Sequence, residues 1–272
     1  MTRGRVQVEN GELAYEIRGE GDPVILLHGG MLDSRTWDAE MAALESHHTA
    51  IRYDARGHGE SSTPTGRFRH YDDLHALMTA LELPRASLVG LSGGGRIAID
   101  FALTYPDLVE NLVLVAAGIS GIEFKDPFVL EQNRKLEEAG AAGDLPAAIE
   151  CILRMWVDGP QRAPADVDQE IRRLCGKLYT HTITRHGLAG FTLMDELRAL
   201  ERAGELAPRT LALVGALDAS DIHDVVALIE REAHDVRSIV VPGVAHMINL
   251  ERPQDFARIL LGFLDGEHAS RG

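Results

Sequence analysis

The sequence predicts an α/β fold in which a mostly parallel, eight-stranded sheet is flanked by helices and carries an inserted helical cap. Three observations predict it. Short apolar runs such as Val24-Ile25-Leu26-Leu27, Ala86 to Gly90 and Asn111 to Ala117 have the continuous apolar character of strands buried on both faces. They alternate with segments whose apolar residues recur at helical spacing, the pattern of a parallel sheet covered by helices. From about Ile119 that alternation gives way to roughly seventy residues that read as helix only, too long for a plain connection, and it resumes at Thr210.

Composition sets the limits. A chain of 272 residues, 45% of them hydrophobic, can bury a sizeable core without staples. The formal net charge is -15 and no cluster of Lys and Arg offsets it, so nucleic acid and anionic membrane surfaces are not expected partners. Met1 to Glu12 is polar and charged, and no later run is long enough to span a bilayer, which predicts a soluble cytoplasmic protein. The two cysteines, Cys151 and Cys175, match neither a disulfide framework nor a zinc site and are expected as buried thiols. Oligomeric state is not set by the sequence.

Arg5 to Asn10 and Glu12 to Arg18 read as strands meeting at Asn10-Gly11, a hairpin signal, so the chain opens with an antiparallel pair. Val24 to Leu27 follows and ends in His28-Gly29-Gly30-Met31, where free amides of Gly30 or Met31 can face an oxyanion. A helix with Trp37, Met41 and Leu44 on one face leads to the strand Thr49 to Tyr53. Its exit loop, Asp54 to Ser61, is rich in Gly, Asp and Arg and reads as structural. Leu74, Leu77, Met78 and Leu81 form the next helical stripe, ahead of Pro84.

The strand Ala86 to Gly90 then runs through Gly90-Leu91-Ser92-Gly93-Gly94 into an apolar helix that stops at Tyr105-Pro106. Ser92 therefore sits at a sharp strand-to-helix corner, relieved by glycines two residues to either side, as an acyl-transfer serine is presented. In the insert, Asp126-Pro127 opens a helix that Gly140 is expected to end. Ile149, Ile152, Leu153 and Trp156 mark a second helix, stopped at Asp158-Gly159-Pro160, and Val167, Ile171, Leu174 and Leu178 a third. Most of these side chains are expected as packing, and residues off the main stripes, such as Met155 or Tyr179, are candidate substrate contacts.

Leu197 to Ala203 is a short linking helix. The strand Thr210 to Val214 ends at Gly215-Ala216-Leu217-Asp218, on the sheet edge where open parallel sheets carry their chemistry, and Asp221 and Asp224 compete with Asp218 for the acid's role. A helix from Asp224 to Ala233 leads to the last strand, Val236 to Val241, and then to His246. Of twelve histidines, His246 is the one that follows a sheet strand in the C-terminal part. An amphipathic helix with Phe256, Ile259, Leu260 and Phe263 closes the fold. The segments divide as 1–118, first part of the core; 119–190, cap; and 191–272, second part of the core.

Serine at a corner, acid after a later strand and histidine after the last strand, in the order Ser92, Asp218, His246, resembles the α/β-hydrolase superfamily. The similarity spans nearly the whole chain: His28-Gly29-Gly30, Tyr53 to Ser61, Gly90 to Gly94, and Gly243 to His246 ahead of Glu251-Arg252-Pro253. The best-matching relatives are small esterases, enol-lactonases and cofactor-free haloperoxidase-like hydrolases. The resemblance implies that Ser92 attacks an acyl carbon, that His246 takes its proton and that Asp218 orients the imidazole. It implies oxyanion amides from Gly30 and Gly93, and no metal or organic cofactor. The chain departs from many relatives at Gly93, where they carry a bulky residue, and at Ile222, where a proline is common. The expected substrate is a small or mid-sized carboxylic ester or lactone, neutral ones first, with Met31 and Met247 lining the chamber and only local cap arginines, such as Arg172 or Arg173, able to help an anion. Carbon–carbon bond hydrolysis, perhydrolysis on the same triad and receptor-like ligand binding stay open.

Overall fold

A computed structural model describes residues 1–266; the last six residues of the second core segment lie outside the described residues. The sheet is built from β1 (Thr2–Val8), β2 (Gly11–Arg18), β3 (Asp22–Leu27), β4 (His48–Tyr53), β5 (Ala86–Leu91), β6 (Val109–Val115), β7 (Arg209–Gly215) and β8 (Val236–Val241). Their spatial order is β1-β2-β4-β3-β5-β6-β7-β8, with β2 antiparallel to both neighbours and every later pairing parallel. β3, β5 and β6 occupy the interior of this order. Their residues from Val24 to Leu27, Leu88 to Leu91 and Leu112 to Val115 are nearly all fully buried, as the continuous apolar runs require.

The helices are α1 (Asp38–Leu44), α2 (His70–Ala80), α3 (Gly93–Thr104), α4 (Pro127–Ala142), α5 (Leu145–Leu153), α6 (Gln169–His186), α7 (Ala189–Thr192), α8 (Ser220–Glu232), α9 (Ile248–Glu251) and α10 (Pro253–Leu264). α2 packs on α3 and α1 on α10. Between β6 and β7 the chain adds no strand to the sheet, and α4 to α7 fall in this stretch. Among the described residues no helix is long and apolar enough to cross a membrane. Both cysteines are buried free thiols, and burial pushes the Cys175 thiol up to about 12.

Several boundaries differ from the sequence expectation. The hairpin turns at Glu9-Asn10, one residue early, because Asn10 takes the left-handed conformation (φ 57°) and Gly11 already pairs with Val8. β6 ends at Val115, where Ala116 turns left-handed (φ 45°). Gly140 stays helical, and α4 ends instead at Gly143, left-handed at φ 69°. α5 passes into a π-helical turn, Arg154–Asp158, before Gly159 (φ 78°) stops it. The linking segment is a 3-10 helix, Ala199–Glu205. α8 begins four residues before Asp224, so both Asp221 and Asp224 lie inside a helix.

The Asp54 to Ser61 loop holds its shape as its composition predicts. The Asp54 carboxylate accepts from the Ser34 N–H (2.9 Å) and the Glu60 N–H (2.8 Å), and the Ser61 hydroxyl donates to the Asp54 carbonyl. Arg56 grips Asp73 with two buried hydrogen bonds of 2.9 and 2.5 Å.

Candidate active site

β5 delivers Ser92 to the corner and α3 leaves from it. Ser92 stands at φ 52°, ψ -112°, a conformation that L-residues avoid and that persists only where the surroundings impose it. They do so from the end of β6, the residues after it and α3: the Ser92 N–H donates to Val115 O (2.9 Å), and Ser92 O accepts from Gly118 N–H (3.0 Å) and Arg96 N–H (3.1 Å). A Cβ at Gly94 would run into the Leu27 carbonyl at the end of β3, so only glycine lets α3 start this close to the sheet.

The loops after β7 and β8 bring the acid and the imidazole together. Ala216 N–H donates to Val241 O (2.8 Å) and Leu217 N–H to Val244 O (2.9 Å), which locks the two loops side by side. Asp218 is 3% exposed and His246 1%. Asp218 Oδ1 accepts from Ala219 N–H at 2.8 Å, and its Oδ2 lies 2.8 Å from His246 Nδ1. His246 Nε2 has no hydrogen-bond partner among the described residues. With Nδ1 donating to the carboxylate, Nε2 is the nitrogen left to accept a proton.

Of the competing acids, Asp221 is spent elsewhere. Its Oδ1 and Oδ2 each accept at 2.9 Å, from Lys125 N–H and Asp126 N–H, which ties α8 to the entry of α4. Asp224 is exposed on α8. Ile222 is buried on α8, and its N–H donates to Ala219 O (3.0 Å), a bond that proline would remove.

The His28 to Met31 loop abuts the corner. A Cβ at Gly93 would lie 2.9 Å from Gly30 N, so the two backbones touch. Met31, left-handed at φ 59°, gives its N–H to His58 Nε2 (3.1 Å) and has none to spare for a ligand. The Gly30 N–H has no such partner among the described residues, and Gly93, as the first residue of α3, has no intrahelical acceptor for its own. Burial, with nearby His28, lowers the His58 pKa to about 3, so the ring stays neutral and keeps Nε2 as an acceptor.

A cavity of about 390 Å³ opens over this arrangement, lined by Gly30, Ser92, Gly93 and His246. Met31, Met155, Tyr179 and Met247 all line it as well. Arg172 and Arg173 do not: Arg172 is bound to Asp158 and Glu150, and Arg173 to Glu170. Sequence reasoning put Trp156 and Ile152 on a packing stripe, yet both line the cavity. For Trp156 the π-helical turn is the reason, since its extra residue rotates the side chains there off the 3.6-residue period, whereas Ile152, still within α5, lines the cavity from the stripe itself. It brings the Trp156 ring to 4.8 Å from the His246 ring. Arg96 and Glu196 were also missed, because an arginine one turn into an apolar helix and a glutamate in an irregular segment carry no sequence signal of facing each other.

The stretch that follows α5 braces the histidine loop. Arg162 donates to both Glu251 carboxylate oxygens (2.5 and 3.0 Å) and to the Val157 and Asp158 carbonyls, while Glu251 accepts the Ala245 N–H at 3.2 Å. Glu251 thus links the π turn to the residue before His246.

Residues 24–259 match the model of the alpha/beta hydrolase family. Among curated proteins, mycobacterial relatives 36% identical over 108 residues are uncharacterised, and the chain spans only 32% of their length. A putative 2-succinyl-6-hydroxy-2,4-cyclohexadiene-1-carboxylate synthase of Bacillus subtilis is 27% identical, covering 92% of this chain and 94% of the relative. The pimeloyl-[acyl-carrier protein] methyl ester esterase of Aeromonas hydrophila is 25% identical over 93% and 99% of the two chains. Among solved structures, a hydrolase from Pseudomonas aeruginosa superposes with a TM-score of 0.77 at 26% identity, covering 96% and 98% of the two chains. The enol-lactonase from Burkholderia xenovorans shares the fold with a TM-score of 0.79 at 22% identity, over 96% and 100%. With its sheet order, its strained serine corner and a family match over most of its length, the chain belongs to the alpha/beta hydrolase family.

Proposed function

We propose that this protein is a serine hydrolase that cleaves small or mid-sized carboxylic esters or lactones through an acyl-enzyme on Ser92. The reading is carried by one observation: a buried Asp218–His246 pair, with Nε2 unpartnered, lines the same cavity as a serine held in a strained left-handed corner. His246 takes the Ser92 proton as the hydroxyl attacks the acyl carbon, and Asp218 holds the tautomer and offsets the imidazolium charge. The Gly30 and Gly93 amides receive the oxyanion, each worth about 3 to 4 kcal/mol in the transition state. His246 then returns the proton to the leaving alcohol and activates the water that releases the acid. Residues 119–190 act as a cap, closing a chamber whose apolar side chains suit short acyl groups. No metal or organic cofactor enters this chemistry, and the site of action is cytoplasmic.

The test is reaction with a serine-directed phosphonate, followed by mass spectrometry, alongside kinetics on p-nitrophenyl esters of rising chain length. Wild type is expected to gain one adduct, on Ser92, and Ser92→Ala to gain none while losing about 10⁴ to 10⁶ in kcat. Short and medium esters are expected to be preferred. Label on another residue, with activity kept in the alanine variant, would remove Ser92 from the role, and a kcat/KM that climbs steadily to long chains would remove the closed chamber.

A further inference from the structure

Among the described residues the cavity wall holds two formally charged side chains, Arg96 and Glu196, and they are paired. Arg96 sits one turn into α3 from Ser92, and its Nη1 donates to Glu196 Oε1 at 2.5 Å while Nη2 meets Met194 Sδ at 3.4 Å. Both side chains are partly covered, 24% and 33% exposed. Nor is Glu196 on a free loop. Asp195 N–H donates to Phe68 O (2.9 Å) and Leu197 N–H to Asp100 Oδ2 (3.5 Å), so the backbone is pinned on both sides of it. The nearby His70 adds no charge, since burial, reinforced by His58 and Arg96, holds its pKa well below the usual imidazole range.

We propose that Glu196 is the specificity residue of this cavity: by occupying Arg96 it keeps the wall electrically neutral and selects uncharged substrates. This rests on the ester-cleaving reading of the site. A substrate ending in a carboxylate has to displace Glu196 from Arg96 or lie beside it, and one ending in an ammonium meets Arg96 in the same way. Either approach leaves one member of the pair with a like charge at short range in a partly desolvated wall. Removing one member exposes the other's charge, so the two single variants are expected to shift preference in opposite directions.

The experiment uses the full chain and butyrate esters whose alcohol parts end in a tert-butyl, a trimethylammonium or a carboxylate group, with proton release as the readout. For each protein the kcat/KM of each charged ester is divided by that of the neutral one, so a general loss of activity cancels. Glu196→Gln is expected to raise the anionic ratio by about tenfold, and Arg96→Met to lower it and raise the cationic ratio by a similar factor. The double variant should return both ratios toward wild type. A binding arm, phenylacetate against phenylacetamide followed by tryptophan fluorescence, to which Trp156 contributes from the cavity wall, reads the anionic shift without turnover. If the binding ratios move while no ester is cleaved, the hydrolytic reading falls and the charge assignment stands. If both turnover ratios and the binding ratio stay within about twofold of wild type in both single variants, the assignment to Glu196 is overturned.

Discussion

Asp218 and Asp221 lie three residues apart after the same strand, and their surroundings give them opposite duties. Asp218 faces His246 Nδ1, whereas Asp221 caps the entry of α4 with both oxygens. Asp218→Asn is therefore expected to cost about 10⁴ in kcat, by favouring the wrong imidazole tautomer, with little change in stability. Asp221→Ala should keep kcat within a few-fold and lose about 1 to 3 kcal/mol of stability, because two N–H groups lose their acceptor. Steady-state kinetics and urea unfolding of the two variants separate the roles; a larger kcat loss in Asp221→Ala would exchange them. Gly93 offers a second residue-level check. An alanine there places Cβ 2.9 Å from Gly30 N, against backbone that cannot swing away. Gly93→Ala is expected to lower kcat by about 10²-fold, near the cost of one oxyanion donor. A variant as active as wild type would show that the two amides do not work together.

At the scale of elements, the π turn Arg154–Asp158 and its continuation to Arg162 set the geometry of the histidine loop. Arg162 pairs with Glu251, each about 10% exposed at the side chain, and Glu251 in turn takes the Ala245 N–H. Arg162→Met leaves a largely buried carboxylate without its cation, and a loss of about 3 to 5 kcal/mol is expected. Because the loop carries His246, kcat should fall with it, and Arg162→Lys should recover part of the stability but not the two-pronged grip. Thermal unfolding and kcat on one short ester check this; unchanged values for Arg162→Met would mean that the brace carries nothing. The residues of this brace were legible only as a resemblance at Glu251-Arg252-Pro253. Their function depends on a contact between positions 89 apart in the chain, which no periodicity reports.

Across the whole molecule, the balance of buried titratable groups shapes the dependence of stability on pH. Glu40 on α1 is 1% exposed, and burial is the main cause that raises its pKa to about 8. A carboxyl whose folded pKa lies above its unfolded value contributes stability that is fully present below the unfolded value, near 4.5, and is lost as pH rises toward 8. His58, shifted the other way to about 3, acts over a lower range: its contribution is lost as pH falls below the ordinary imidazole value. The difference between wild type and Glu40→Gln isolates the first effect. Between pH 5 and 8 wild type is expected to lose stability relative to the variant by on the order of 1 kcal/mol per pH unit. Parallel Tm profiles for the two proteins over that range would rule it out.

The sequence by itself determined the eight-stranded α/β architecture, the antiparallel start, the break in strand and helix alternation after the sixth strand, and the positions of Ser92, Asp218 and His246 at strand ends. These are local properties: apolar runs, turn residues and helical spacing are written in neighbouring positions. Only the tertiary structure decided which candidates meet. It spent the Met31 amide on His58 and Asp221 on the entry of α4, it turned Trp156 from the stripe to the cavity through one π turn, and it paired Arg96 with Glu196. Each of these is a hydrogen bond or a rotation of a fraction of a turn between segments distant in sequence, and a packed core accepts only discrete arrangements of that kind.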